Sequence, residues 1–212
     1  MKINNNKFFI KKGNYFDPKV TDNKKKEIDI SLDRLVDLLG ENSEWYLAGS
    51  LSISTNIGYV HRNPSDIDII IEKTSLFDAV RNAENHNYGL YSRIFVTKIT
   101  PHTMLYVFKP VSLKEATNDN AKHLKLLRKN YELYSEKLLS FIDIFLYDKH
   151  KNKINFIENN LSVDSYKLRI QKYKTINGKN LKVVGLDFMK ELKQAGTKEK
   201  DIYDLKIISE YM

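Results

Sequence analysis

Two aspartates stand inside an apolar segment at residues 65–72, and they restrict most strongly what this chain can form. Asp66 and Asp68 alternate with isoleucines in the run Asp-Ile-Asp-Ile-Ile-Ile. Side chains alternate across a β-strand, so both carboxylates project from one face and Ile67 and Ile69 from the other. Aspartate is disfavoured in strands, and two carboxylates on one face repel each other. The segment therefore predicts a strand whose acidic pair is stabilised by a cation.

A glycine-serine pair precedes this strand. Gly49-Ser50 follows the short apolar run at residues 45–48. Mg²⁺ is usually held by one or two carboxylates together with substrate phosphates. A glycine lets the backbone approach a phosphate closely, and the following N–H groups and hydroxyl can donate hydrogen bonds to it. The two motifs together favour a site for Mg²⁺ or Mn²⁺ and phosphates over the other interpretation, a solvated edge strand after an ordinary turn.

The order Gly-Ser, connection, Asp-x-Asp resembles the nucleotidyltransferase superfamily, which includes DNA polymerase β, the antibiotic nucleotidyltransferases and the AbiEii-type toxins. The run His61-Arg62-Asn63-Pro64-Ser65-Asp66-Ile67-Asp68 is similar to the AbiEii-like and lincosamide-modifying branches. The resemblance implies a mixed α/β (α+β) fold, with a mixed sheet flanked by helices. It also implies a Mg²⁺-dependent transfer of a nucleotide from an NTP such as ATP.

A third carboxylate is implied by the same resemblance. Asp143 interrupts the apolar run at residues 138–147, and a lone buried carboxylate is costly unless it is paired. Asp143 matches the superfamily's third acid on a neighbouring strand, and Asp148 is the weaker candidate. Asp66, Asp68 and Asp143 are therefore the predicted catalytic and metal-binding residues. A salt-bridged core aspartate is the alternative for Asp143.

The C-terminal part carries the second half of the resemblance. Lys193 matches a helical lysine of the superfamily, and Lys200, Asp201 and Asp204 match a Lys-Asp-x-x-Asp-Leu helix that closes the domain, whereas Thr197 stands where many relatives have arginine. From the residues alone, Asp201 favours a helix start and Asp204 a helix surface. The predicted nucleotide-binding residues are Gly49, Ser50, Arg62, Lys193, Lys200 and Asp201.

Periodicity predicts the remaining elements of one domain over residues 1–212. Residues 21–148 are expected to form the catalytic core, and residues 149–212 a basic hairpin and C-terminal helices that complete the site. Helices are predicted at 26–39, 51–57, 76–83 and 112–136, and Asp22 or Asn23 is expected to cap the first. Strands are predicted at 45–48, 65–72, 91–99, 103–108 and 138–147, and Asn177-Gly178 predicts a hairpin turn in which both residues have positive φ. Lys122, Lys125, Arg128 and Lys129 are expected on a solvated helix face.

Charge and composition indicate the partners. The chain of 212 residues has a formal net charge of +8. Residues 149–182 hold nine Lys or Arg against Glu158 and Asp164, an excess of +7, which suits a polyanionic acceptor such as the acceptor end of a tRNA. An antibiotic or a protein side chain is the alternative acceptor, and a non-catalytic nucleotide- or RNA-binding module is the alternative class.

The absence of cysteine excludes disulfides and thiolate metal sites. No segment has the length and apolar character of a membrane span or signal peptide, so we expect a cytoplasmic protein. A homodimer or a protein partner is compatible with the sequence, and a toxin–antitoxin role is what the AbiEii-like resemblance implies.

Overall fold

The computed structural model describes residues 8–13, 16–100, 103–118, 123–129, 138–157 and 161–212. Within these ranges the chain forms six α-helices and eleven β-strands. The helices are α1 (Asp22–Leu39), α2 (Gly49–Ile57), α3 (Leu76–Asn85), α4 (Leu113–Thr117), α5 (Leu186–Gln194) and α6 (Glu199–Tyr211). The strands are β1 (Phe8–Gly13), β2 (Trp45–Leu47), β3 (Ile67–Glu72), β4 (Tyr88–Thr100), β5 (Thr103–Pro110), β6 (Leu124–Arg128), β7 (Phe141–His150), β8 (Lys153–Phe156), β9 (Ser162–Asp164), β10 (Ile170–Lys174) and β11 (Asn180–Val184).

The strands form one mixed sheet in the order β1-β5-β4-β6-β7-β3-β2-β11-β10, and β8 and β9 extend from β7. Strand β3 lies at its centre, parallel to β7 and antiparallel to β2. Strand β11 pairs with β2 in parallel. Because β11 comes from the C-terminal part of the chain, that part belongs to the same sheet as the strand that carries Asp68.

Two cores cover the two faces of the sheet. On one face, α1, α3 and α4 pack against isoleucines 67, 69 and 71 of β3. On the other face, α2, α5 and α6 contribute Ile53, Phe188 and Ile208 to a second core around Ile70. Asp68 alternates with its neighbours and shares the second face with Ile70. The predicted alternation is therefore confirmed for Asp68, which it separates from the larger core, whereas Asp66 precedes the strand.

Most predicted elements are found close to their predicted bounds, with small corrections. Thr21 rather than Asp22 or Asn23 caps α1, because its side chain accepts a hydrogen bond from the N–H of Lys24 at 3.3 Å. The hairpin between β10 and β11 is confirmed. Of its two turn residues only Gly178 has a positive φ, at 80°, so the turn is longer than the two-residue type in which both do.

The long helix predicted over residues 112–136 is wrong. A capping box at Ser112 and Glu115 starts α4, but this helix ends at Thr117. Residues 124–128 then form β6 between β4 and β7. The leucines at 124 and 127 fit a helical period, yet their side chains lie on opposite faces of a strand and both are buried. Tyr131 and Tyr134, which the prediction placed on the same helix, lie outside the described residues.

In the part of the chain that the structure describes, we find no helix with both the length and the apolar character needed to cross a membrane.

Candidate active site

Three carboxylates meet at one edge of the central strands. Each of Asp66, Asp68 and Asp143 offers an oxygen, and these oxygens lie within 4.8 Å of one another. Asp68 on β3 and Asp143 on β7 are direct partners in the parallel ladder, and Asp66 immediately precedes β3. Strand register therefore brings Asp68 and Asp143 together. Asp148, the weaker candidate for the third acid, lies at the exposed end of β7, 3.8 Å from Lys73.

The site favours the protonated form of Asp68. Burial raises the pKa of Asp68 from 3.8 to about 7, and the charges of Asp66 and Asp143 add to this effect. The positive charges of Lys193 and Lys200 act in the opposite direction. An all-carboxylate oxygen set of this kind matches the ligands that Mg²⁺ and Mn²⁺ prefer. The residues present therefore fit the predicted metal.

Helix α2 begins beside these carboxylates. Gly49 is its first residue and has a φ of +65°. A Cβ added to Gly49 would overlap the carboxylate of Asp68. Only glycine fits here, both for its backbone conformation and for this close approach. The helix N-terminus, with its unpaired N–H groups and positive dipole end, is thus held against the acidic cluster, where it can bind an anion. The helix predicted at residues 51–57 is confirmed and starts two residues earlier.

Asp143 has a cationic neighbour that the sequence prediction placed elsewhere. Lys125 of β6 is the cross-strand partner of Asp143 and forms an ion pair with it. The side chain is 11% exposed, and its ammonium lies over the ring of Phe108 at 5.6 Å. The prediction of a solvated lysine at this position is wrong, because it rested on a helix where the structure has a strand. Lys125 instead offsets the charge of the third carboxylate.

A buried network of cations surrounds Asp204. Arg62 donates to both of its carboxylate oxygens, at 2.6 and 2.9 Å, and Lys193 lies 2.8 Å away. His61 bonds to Asp204 at 2.9 Å through Nε2, while its Nδ1 lies 2.8 Å from the hydroxyl of Ser54. Burial alone would raise the pKa of Asp204, but the hydrogen bonds from Arg62 and His61 and the charge of Lys193 lower it far below its usual range. The helix-surface position expected for Asp204 is wrong.

The predicted nucleotide-binding residues fall into two groups. Gly49 and Ser50 begin α2 beside Asp68. Arg62, Lys193 and Asp201 belong to the buried network, in which Lys193 also bonds to Asp201 at 2.9 Å. Lys193 and Lys200 act on the pKa of Asp68, and Asp66 and Asp68 raise that of Arg62. The network therefore places two cations near the acidic cluster, together with the carboxylates of Asp201 and Asp204 that pair with them.

Part of the positive charge of residues 149–182 is offset by acidic side chains that pair with it in the structure. Lys179 pairs with Asp33 and Asp37 at 2.7 Å each, and Lys167 pairs with Glu191 at 2.6 Å. Lys153 and Arg169 pair with Asp164 and Asp187. Four of the nine cations thus have acidic partners, mostly from other parts of the chain. The charge excess of +7 was counted over residues 149–182 alone, so it did not include partners from other parts of the chain.

The central sheet, the acidic cluster on adjacent strands and the helix that begins at Gly49 define the nucleotidyltransferase fold, as the sequence motifs predicted. The lincosamide antibiotic adenylyltransferase LnuA in its lincomycin-bound form has this fold. It matches with a TM-score of 0.51 and 13% identity over 90% of this chain and 97% of that one. The expected relation to the AbiEii branch stays a prediction.

Two further solved structures are similar at lower scores. The enzyme ANT(2″)-Ia in complex with adenylyl-2″-tobramycin has a TM-score of 0.42 and 10% identity, over 87% of each chain. An antigenic nucleotidyltransferase-like protein from Paracoccidioides brasiliensis has a TM-score of 0.43 and 11% identity, over 89% of this chain and 77% of that one. No protein-family model and no curated protein matches the sequence.

Proposed function

We propose that this chain is a metal-dependent nucleotidyltransferase, which moves a nucleoside monophosphate from an NTP to an acceptor and releases pyrophosphate. One observation carries the proposal: three carboxylates converge within 4.8 Å beside the N-terminus of α2. Such a site can bind a hard cation and a triphosphate together, which a solvated edge strand cannot do.

Asp66, Asp68 and Asp143 would hold Mg²⁺ or Mn²⁺. When bound, such an ion neutralises phosphate charge and makes the α-phosphorus a better electrophile. The N–H groups at Gly49 and Ser50 would bind the β and γ phosphates. Arg62, Lys193 and Lys200 would offset the charge that develops on the leaving pyrophosphate. Asp143 would accept the proton of the attacking acceptor hydroxyl, which then bonds to the α-phosphorus in line with the leaving oxygen.

The acceptor we favour is an RNA, such as the acceptor end of a tRNA. The support is the excess of positive charge on the chain, +8 overall, since phosphate contacts dominate affinity that does not depend on sequence. An antibiotic is the second candidate, because two of the similar structures are antibiotic nucleotidyltransferases. Nucleotidylation of a protein is the third.

The test is transfer of label from each α-³²P-NTP, with Mg²⁺, to total tRNA, to a panel of aminoglycosides and lincosamides, and to protein. We expect label on one acceptor class with the wild type and at least a hundredfold less with Asp68→Asn. Asp148→Asn is the matched control, since it removes an exposed acid from the same strand as Asp143, and it should retain activity. Transfer that persists in Asp68→Asn would refute the metal assignment. Absence of transfer to every class would favour the non-catalytic binding module.

A further inference from the structure

The face of the sheet that carries Asp68 continues past Asp143 onto β6, β4 and β5. Cross-strand register places Asp68, Asp143, Lys125 and Tyr91 in one row. Beyond this row, residues that share the face follow as three further cross-strand pairs on β4 and β5. We call these six residues the β4–β5 strip: Arg93 with Phe108, Val96 with Tyr106, and Lys98 with Met104.

The strip combines aromatic rings with positive charge. Residues 85–114 contain no Asp or Glu, but they include Arg93, Lys98, Lys109 and Lys114. The guanidinium of Arg93 lies 5.9 Å from the ring centre of Tyr106, which stacks on Phe108 with the centroids 6.5 Å apart. Lys98 is exposed, as is 39% of Val96. Arg93 and Tyr106 are half-buried, and Phe108 is buried beneath the ring of Tyr106. Cations next to a partly exposed aromatic ring are groups that bind single-stranded nucleic acid.

The β4–β5 strip also begins next to the row of residues that contains Asp143. Arg93 lies two residues beyond Tyr91, the β4 member of the row that contains Asp143. Burial lowers the pKa of Arg93, and the charge of Asp143 acts in the opposite direction. Two strip residues, Phe108 and Tyr106, belong to an apolar cluster with Tyr91, Leu127 and Phe141, and all five residues lie on strands. From Tyr91 to Lys98 the strand spans about 23 Å, at about 3.3 Å for each residue. This length accommodates about seven stacked nucleotides at about 3.4 Å each.

We propose that the β4–β5 strip binds the single-stranded end of a nucleic-acid acceptor and directs its terminal hydroxyl to Asp143. This inference rests on the proposed function and assigns its acceptor surface. In the reaction, the hydroxyl oxygen bonds to the α-phosphorus, the bond from that phosphorus to the bridging oxygen breaks, and pyrophosphate leaves with the electron pair. The hydroxyl proton goes to Asp143. Residues 149–182 are the other basic region, and four of their nine cations are paired with acids.

Binding can be measured without turnover by fluorescence anisotropy in EDTA. The probes are a fluorescein-labelled 12-nucleotide RNA and the DNA of the same sequence, each with a free 3′ hydroxyl. The double variant Arg93→Gln/Lys98→Gln should bind about tenfold more weakly, and the slope of log K against log salt should become shallower by about 1.4, or 0.7 for each phosphate contact. The control variant Lys149→Gln/Lys151→Gln removes two exposed cations from the other basic region and should behave like the wild type.

A second pair of variants tests stacking. Tyr106→Leu should weaken binding about tenfold. Phe95→Leu alters a ring that is 54% exposed on the opposite face of β4 and should have no effect. Thermal melting of each variant would verify that it is folded.

Two outcomes would overturn the proposal: equal losses of affinity in the strip variants and their controls, or no binding of either oligonucleotide to the wild type. A preference between the two oligonucleotides identifies the acceptor as RNA or DNA. Binding that needs the strip, but with no nucleotide transfer from any NTP, would contradict the enzymatic proposal and leave the binding surface in place.

Discussion

The carboxyl group of Asp68 should make the stability of the metal-free protein depend on pH. Its pKa is raised to about 7 in the folded chain from an ordinary value of 3.8. Between these two values the folded state holds a proton that the unfolded state has lost, so the free energy of unfolding falls as pH rises from about 4 to 7. We expect denaturation in EDTA to show this fall in the wild type, but a much weaker one in Asp68→Asn.

A bound metal should offset the loss of stability that occurs when Asp68 becomes charged. At pH 8, where Asp68 is charged, Mg²⁺ or Mn²⁺ should raise the melting temperature of the wild type and leave that of Asp68→Asn nearly unchanged. Equal pH dependence in the two proteins would contradict the raised pKa. Equal stabilisation by metal would contradict the ligand assignment.

Lys125 should have opposite effects on stability and on metal binding. Lys125→Met removes the ion-pair partner of Asp143, so the metal-free protein should lose about 2 kcal/mol of stability. The same change leaves the acidic cluster more negative, so Mn²⁺ measured by calorimetry should bind about tenfold more tightly. Lys109→Met, at an exposed position on β5, should change neither quantity. Weaker Mn²⁺ binding in Lys125→Met would show that the lysine supports the metal rather than opposing it.

At the scale of elements, the join between β2 and α2 determines whether a phosphate can reach the acidic cluster. Gly49→Ala would place a methyl group against the carboxylate of Asp68 at a positive φ, so Mn²⁺ and NTP affinity should each fall by more than tenfold. Gly58 ends the same helix with a φ of +83° and open space around its Cβ position. Gly58→Ala should therefore cost about 1–2 kcal/mol of stability and leave binding intact. Similar binding losses in both variants would indicate a general loss of helix α2.

The elements also show what the sequence could predict. The isoleucines around Asp68 indicate a strand, and the alternation of Ile67, Asp68 and Ile69 assigns the carboxylate to the face opposite the larger core. The sequence alone does not give the register between β3 and β7, which are distant along the chain. The family resemblance, rather than the hydrophobic pattern, therefore predicted Asp143 beside Asp68. Leu124 and Leu127 fit either a helix or a strand buried on both faces. Because of this ambiguity, the sequence prediction placed Lys125 on a solvated helix face and missed its pairing with Asp143.

At the scale of the molecule, Asp204 connects the C-terminal helices to the segment that precedes β3. Its carboxylate on α6 is fully buried and bonds to His61 and Arg62, which precede β3, and to Lys193 on α5. Charge counts along the sequence assign these residues to separate regions. Strand β11 lies in the sheet beside β2, and Asp204 of α6 pairs with Arg62 from the N-terminal part.

Asp204→Ala should destabilise the whole molecule by about 3–5 kcal/mol, because it removes the carboxylate that pairs with the buried Arg62 and leaves Lys193 with Asp201 alone. The lowered pKa of Asp204 means that its stabilising contribution is present above its ordinary pKa of 3.8 and is lost as pH falls below that value. Asp187→Ala is the control, since Asp187 is 42% exposed and 3.7 Å from Arg169, and such a surface pair contributes about 1 kcal/mol or less. Hydrogen exchange should become faster in both α6 and residues 59–66 of Asp204→Ala, and in neither segment of Asp187→Ala. Faster exchange confined to α6 would mean that the network stabilises one helix and does not couple the C-terminal part of the chain to the acidic cluster.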